Sequence, residues 1–287
     1  MARLNKKYSD FQRFLSPAKI NLFLRILNKR KDGYHNLQSV FQLIDLYDEV
    51  FIRARSDNKI LIDYNVNSID KNNDLGLKAA NLMLKNLNYG VDIKINKKIP
   101  IGGGLGGGSS NAASVMLGIN KLFNLNIDKK KLTESSSSIG ADVPFFVNGI
   151  NGWVEGVGES ITPLHVNNNK YLLIIPNISI STRRVFTDFK LTNKPITLKI
   201  PSFFNEVEDD NIVNDLQDIV LENYPKLNEL FIWLQGFGKP SMTGTGSTFF
   251  LKYDDIDVAR KIIDDKPKDI KIISVKGISL HPHFLAD

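Results

Sequence analysis

The sequence predicts an α+β fold in two parts, and three observations carry that prediction. Segments that alternate as strands mix with segments whose apolar residues recur at helical spacing, without the strict βαβα order of a doubly wound sheet. A polar break, "VNNN" at 166–169, gives a soft boundary near 160–168 and divides the chain into 1–162 and 163–287. The 287 residues suffice for two modest domains, and 42% hydrophobic with 24% charged residues is a globular composition.

The elements follow in order. "FLSPAKINLFLRIL" alternates as a strand, with Ala18, Ile20, Leu22 and Leu24 on one face and Lys19, Asn21, Phe23 and Arg25 on the other. "KDGYHN" carries an Asp-Gly turn, and "SVFQLIDLYDEVFIRA" reads as the next strand. "NDLGLKAANLMLKNL" has helical periodicity, with Asn73 or Asp74 as N-cap. "VDIKINKKIP" is a strand, and after the glycines that follow it "SSNAASVMLGINKLFNL" is a helix. "TESSSSIGADVPFFV" reads as a helix, a turn and then an extended piece, because Pro144 biases Val143 away from helical geometry. "NGWVEGVGESITPL" is a hairpin with glycine turns. The second part mixes strands ("YLLIIP", "STFFLKY", "DIKIISV") with helices ("NELFIWLQGF", "DDIDVARKIIDD").

Composition narrows the function classes. The chain has no cysteine, which excludes disulfides, Cys-ligated zinc and a Cys nucleophile, and fits a reducing, cytoplasmic setting. The basic N-terminus lacks an apolar run of signal-peptide length, and no stretch approaches the ~20 apolar residues of a membrane helix, so no membrane partner is expected. The net charge is +6, but the lysines are spread along the chain and interleaved with acids. A nucleic-acid footprint clusters its charge, so nucleic acid is not the expected partner, whereas a small anionic substrate suits the field.

The stretch "PIGGGLGGGSSNAASVM", residues 100–116, carries the chemistry. Glycine loses the most conformational entropy on folding, so six in seven positions need a reason. A glycine loop lets backbone N–H groups approach a ligand closely. The helix behind it offers unpaired N–H groups and a partial positive charge, and Ser109 and Ser110 add hydroxyls and cap that helix. The fitting guest is a polyphosphate, held by hydrogen bonds to a charged group at roughly 1.5–3 kcal/mol each. No Lys-Ser or Lys-Thr pair follows the last glycine, so this is not a Walker loop. Gly102, Gly104 and Gly107 satisfy G-x-G-x-x-G, but the acid that a dinucleotide fold needs at a second strand end is missing, as is a protein kinase's D-F-G.

"PIGGGLGGGSSNAA" resembles the phosphate-binding motif of the GHMP small-molecule kinases. Four more segments resemble the branch of that family that acts on a cytidine-diphosphate-linked methylerythritol: "SPAKINLFL" (16–24), "DGYHNLQSVFQLIDLYDE" (32–49), "GADVPFF" (140–146) and "SMTGTGSTFFL" (241–251). They come in the family's order and span nearly the whole chain. The resemblance implies a two-lobe GHMP kinase fold. Its N-terminal, ATP-binding lobe (1–162) is like the second domain of ribosomal protein S5, and its C-terminal α/β sandwich lobe (163–287) completes the substrate site in the cleft between them. It implies ATP with Mg²⁺ and phosphorylation of the methylerythritol 2-hydroxyl. ATP falls on Pro100, Ile101, Gly102, Gly103, Gly104, Leu105, Gly106, Gly107, Gly108, Ser109 and Ser110. Lys19 and Asp142 are the catalytic residues, Asp142 as general base. Asn21 contacts substrate, Tyr34 and Phe186 stack on cytosine, and His35 hydrogen-bonds its edge. Thr243 or Thr245 reaches the substrate from a tight turn at Gly244 and Gly246. No dedicated metal ligand is evident, so Mg²⁺ rides on the phosphates, near Ser110.

Read without the resemblance, Lys19 fits an edge or solvent lysine, Asp142 a turn or cap residue, and Tyr34 a packing aromatic. A GHMP kinase of another small alcohol, or a nucleotide sensor on the same fold, are the alternatives. The intact "DGYH" argues against the first, and the retained Lys19 and Asp142 against the second. Three features depart from the motifs or stand outside them. The N-terminal extension, which includes "NKKYSDFQ", reads as loose. Gln217 replaces an acid and reads as surface packing. His281 and His283, spaced i, i+2, read as a tail pair rather than a metal site.

Overall fold

Two long antiparallel strands, β1 (Gln12–Lys29) and β2 (His35–Arg55), form the spine of the molecule. The computed structural model describes residues 10–67, 69–70, 73–191, 197–198 and 213–285. Of the N-terminal extension, residues 1–9 lie outside the described residues. The rest is not loose: Phe11 lies under the Arg53 guanidinium at 4.7 Å, and β1 begins at Gln12. The Asp-Gly turn joins β1 to β2, with Gly33 at φ 89° and Arg30 N–H donating to the Tyr34 carbonyl.

Along its other edge β2 pairs successively with β5 (Gly152–Gly156), β10 (Ile270–Ile278) and β4 (Gly90–Asn96). β3 (Ile60–Tyr64) joins β4 in parallel, and β6 (Ser160–Pro163) closes the expected hairpin with β5. β10 then pairs with β7 (Lys170–Pro176), which pairs with β9 (Phe249–Lys252) and through it with β8 (Ser241–Met242). The last strand of the chain therefore joins the early strands to the late ones. Ala18, Ile20 and Ile44 share a buried cluster with Tyr171, Leu173, Phe250 and Val275 across that junction.

β1 does not keep one apolar face. Register shifts occur between Pro17 and Ala18 and between Asn21 and Phe23. Ala18 and Ile20 enter the junction cluster, whereas Leu24 and Ile26 enter the main core. A bulge inserts a residue and flips the alternation, so the single alternating face expected from sequence is divided.

α1 (Leu75–Leu84) starts as expected, with the Asp74 side chain accepting from Leu77 N–H. α2 (Gly107–Leu122) and α3 (Lys129–Ser136) follow, and α2 is buried along nearly its whole length. The "VPFFV" stretch is not extended but forms α4 (Val143–Asn148). Pro144 sits in its first turn, where a missing N–H costs nothing, and Val143 to Val147 are all buried, so no periodicity marks the helix. Among the described residues α5 (Thr182–Asp188), α6 (Gln217–Asn223), α7 (Pro225–Gln235) and α8 (Ile256–Asp264) follow, with a 3-10 turn at Pro282–Phe284. Gln217 is not a surface residue in function: its Oε1 accepts the Met242 N–H at 2.8 Å and anchors β8. Among the described residues, no helix is long and apolar enough to cross a membrane.

Candidate active site

The loop from Pro100 to Gly106 connects β4 to α2 and walls a cleft of about 630 Å³. Gly102, Gly104 and Gly106 have φ of 75°, 75° and 71°, in the left-handed region open to glycine. Gly106 is also packed: a Cβ there would lie 2.9 Å from Phe146 and 3.1 Å from Lys19. α2 begins at Gly107, with Gly106 as an N-cap that supplies no side chain. Ser109 and Ser110 therefore lie inside the first turn and do not cap it. The difference is physical: an uncapped N-terminus leaves its N–H groups for a ligand. Ser109 lines the cleft. Ser110 is fully buried with its Oγ 3.4 Å from Ser16 Oγ, behind the loop.

Lys19 lines the same cleft from β1 and is 4% exposed. Its Nζ donates to Asn21 Oδ1 at 2.6 Å, lies 4.5 Å from the centre of the Phe41 ring and sits 3.6 Å from Asp142 Oδ2. Its N–H donates to the Leu105 carbonyl at 3.0 Å, which fixes strand and loop together. The solvent-lysine reading is thus excluded. Burial pushes the Lys19 ammonium below its usual range, and the Asp142 carboxylate opposes that shift. Asp142 precedes α4, makes no side-chain cap hydrogen bond and keeps 31% of its side chain exposed. Its carboxylate is available to the cleft. Asn21 shares a face with Lys19, as the two-residue spacing predicts, and its Nδ2 donates to Ser39 Oγ at 3.0 Å.

Phe186, on α5, also lines the cleft. The His35 ring stacks on it with centroids 5.4 Å apart. Burial, then the Lys29 charge, holds His35 below the usual imidazole range, so near neutral pH it offers one N–H and one acceptor nitrogen. Tyr34 stands at the turn, 64% exposed. The structure therefore gathers the glycine loop, Lys19, Asn21, Asp142 and Phe186 on one cleft. His35 reaches it through Phe186, Tyr34 stands outside, and Ser110 lies behind.

Sequence reasoning missed a second buried lysine. Lys97 lines the cleft beside the first turn of α2, 3.2 Å from the place a Gly107 Cβ would take. Its Nζ donates to Asp48 Oδ2 and, at 2.8 Å, to Asn111 Oδ1. Asp48 is fully buried and also accepts from Lys98 N–H, Ile99 N–H and Asn111 Nδ2 at 2.6, 2.8 and 2.9 Å. The missed signal was an acid in "LYDE" and a lysine in "KKIP" directly before the glycines. Gly244 and Thr245, from the second glycine turn, and Tyr64 and Asp74, hydrogen-bonded at 2.8 and 2.9 Å, complete the walls. Among the described residues, no group of three or more acids or histidines could hold a metal ion. His281 and His283 are not a free tail pair: His281 is buried, and its Nδ1 accepts the His283 N–H at 3.1 Å.

Residues 74–149 match the N-terminal domain of the GHMP kinases. The chain is 37% identical over 278 residues to 4-diphosphocytidyl-2-C-methyl-D-erythritol kinase of Hahella chejuensis, covering 93% of each protein. It is 36% identical over 273 residues to the enzyme of that name from Neisseria meningitidis serogroup B, covering 94% of this chain and 96% of the relative. A crystal structure of 4-(cytidine 5'-diphospho)-2C-methyl-D-erythritol kinase superposes with a TM-score of 0.80 at 28% identity, over 93% of this chain and 99% of that one. A mevalonate kinase superposes at 0.68 with 17% identity, over 93% and 99%, and shares the fold.

Proposed function

Because the chain belongs to the 4-diphosphocytidyl-2-C-methyl-D-erythritol kinases, a branch of the GHMP kinases, we propose a division of labour for its cleft. The enzyme is an ATP-dependent kinase that phosphorylates that alcohol in isoprenoid biosynthesis. On our reading the reaction is at the 2-hydroxyl. The observation that carries the division is Lys19, buried against the glycine loop and 3.6 Å from a half-open carboxylate.

The triphosphate lies along Gly102 to Ser109, against the open N–H groups of α2, and the nucleoside of ATP against the wall of Tyr64, Asp74 and Leu75. The acceptor hydroxyl enters between Lys19 and Asp142. Asp142 takes its proton as the oxygen bonds to the γ-phosphorus, the bond from that phosphorus to the β-bridging oxygen breaks, and ADP leaves. Lys19 stabilises the charge on the transferring group and lowers the pKa of the hydroxyl, in a site where burial strengthens both effects. Asn21 holds Lys19 and meets the substrate with the amide hydrogen that Ser39 leaves free. His35 reads the cytosine edge between Phe186 and Tyr34, with Tyr34 closing over the base when substrate binds.

Mg²⁺ bound to ATP would supply charge screening of the phosphates. The fit is to a metal carried by the substrate, since Ser110 Oγ faces Ser16 and the described residues near the loop hold no acidic cluster. On our reading the enzyme draws on the ATP of the cytoplasm and works there. Coupled ADP release with ATP, Mg²⁺ and the cytidine-linked alcohol, run beside mevalonate and homoserine, tests the reading. Turnover on the cytidine compound is expected, and turnover on another alcohol alone would overturn it.

A further inference from the structure

The second glycine turn, residues 243–248, is not simply another wall of the cleft. Thr243 is fully buried, while its neighbours Gly244 and Thr245 line the cleft. Its N–H donates to the Thr248 carbonyl and its carbonyl accepts from Gly246 N–H, both at 3.0 Å, so the turn is closed on itself. Asn214 clamps it from behind, with Nδ2 donating to the carbonyls of Met242 and Gly244 at 2.7 and 2.8 Å. The turn then meets the phosphate loop face to face: a Cβ on Gly104 would lie 2.3 Å from the Thr243 carbonyl oxygen.

The Thr243 hydroxyl sits at the crossing point of three segments. Its Oγ1 accepts from Asn21 N–H at 3.0 Å, and it lies 3.3 Å from Asn21 Oδ1 and 3.4 Å from the Gly104 carbonyl. With one proton to give, it serves one of those two acceptors at a time. Asn21 Oδ1 is the atom that receives Lys19 Nζ, and Asn21 Nδ2 is held by Ser39, so the amide cannot turn without breaking a buried hydrogen bond.

We propose that Thr243 is a positioning residue for phosphoryl transfer: its hydroxyl ties the phosphate loop at Gly104 to Asn21, and through Asn21 holds Lys19 in register with the transferring group. The proposal rests on Lys19 and Asp142 being the reacting pair. It makes Thr243 act through Asn21 and Lys19 and not as a ligand of substrate.

The test is steady-state kinetics on Thr243→Val, Thr243→Ser and Lys19→Met, with folding followed by thermal unfolding. Misplacing a reacting group by about 1 Å costs on the order of 100-fold, so kcat of Thr243→Val is expected to fall about 10- to 100-fold. KM for ATP should stay within about 3-fold, since binding common to ground and transition state is kept. Thr243→Ser, which keeps the hydroxyl, should recover most of the rate. Unchanged kcat in folded Thr243→Val, a rise in KM without a fall in kcat, or a serine variant as slow as the valine one would each overturn the proposal. If Thr243→Val does not fold, Thr243→Ala against Thr243→Ser makes the same comparison. Full turnover in Lys19→Met overturns the parent reading and this one with it, whereas a dead Lys19→Met beside an undiminished Thr243→Val overturns this one alone.

Discussion

Two lysine–aspartate pairs stand at the same cleft, with Lys19, Asp142 and Lys97 lining it and Asp48 buried behind Lys97, and they are built in opposite ways. Lys97 and Asp48 are 6% and 0% exposed at their side chains, and Asp48 is saturated by four donors. Lys19 is as deeply buried, but its partner Asp142 is 31% exposed, lies 3.6 Å away and spends nothing on capping its helix. The first pair is closed and fixes the strand end that enters the glycine loop. The second is open on the side where a hydroxyl can enter. The difference teaches that burial of a lysine does not mark chemistry by itself. On the proposed reading, what marks it is a carboxylate whose hydrogen-bonding capacity is left unused at the edge of a cleft.

The contrast can be broken from either side. The largest effect is expected at Asp48. Asp48→Ala would leave the Lys97 ammonium buried without its carboxylate and two backbone N–H groups without an acceptor, a loss of about 3–5 kcal/mol in stability. Urea unfolding midpoints measure it, and a loss below about 1 kcal/mol would dissolve the distinction. Next comes Lys19→Met. It removes a buried charge and keeps the volume, so stability should hold or rise while kcat per folded molecule drops about 100- to 1000-fold. Instability with full turnover would make Lys19 structural.

A smaller effect sharpens the open pair. The folded-state pKa of Lys19 lies below the usual lysine value of 10.5, chiefly through burial, with Asp142 as the opposing influence. On the proposed mechanism the ammonium is the working form, and it is lost as pH rises through that lowered pKa. The alkaline limb of kcat/KM, which reports the free enzyme, should therefore fall below pH 10.5 in wild type. Asp142→Asn removes the opposing charge, so Lys19 should react with an amine-selective reagent at still lower pH. An unmoved reactivity profile would deny the coupling.

A separate effect, on the pH dependence of stability alone, concerns a buried base with no charge to oppose its burial. His281 Nε2 is buried without a hydrogen-bond partner among the described residues, and burial first, then His283, holds its pKa down to about 3 against 6.5. The unfolded chain takes up that proton as pH falls below 6.5 while the folded one refuses it until about 3, so stability contributed by the neutral ring is lost across that window. His281→Gln should flatten the fall of the unfolding midpoint between pH 6.5 and 4, and an unaltered slope would show that His281 is not responsible.

Legibility from sequence followed distance along the chain. The strand, glycine loop and helix of 90–122 were readable because turn, cap and periodicity are local signals. Lys19 and Asn21 were readable as neighbours because two residues on a strand share a face. α4 was not, since a helix buried all round has no apolar stripe and its proline argued for extension. The flip of β1 was hidden because a bulge leaves no mark in the apolar pattern it interrupts. Gln217 and Thr243 find their partners 25 and 222 positions away, and Asp48 reaches Lys97 across 49, so no local pattern separates them from surface residues. Asp142 stands out only through its motif, since a carboxylate before a proline reads equally well as a cap.

The proposed division of labour gives chemistry to the open pair alone. Its most direct test sets Asp142→Asn beside Asp48→Asn, with kcat per folded molecule and thermal midpoint measured on each. Asp142→Asn is expected to keep its midpoint and to lose about 100- to 10,000-fold in kcat, the range of a general base. Asp48→Asn should lose midpoint, with kcat per folded molecule reduced far less. Undiminished kcat in Asp142→Asn, or a collapse of kcat in a fully stable Asp48→Asn, would contradict it.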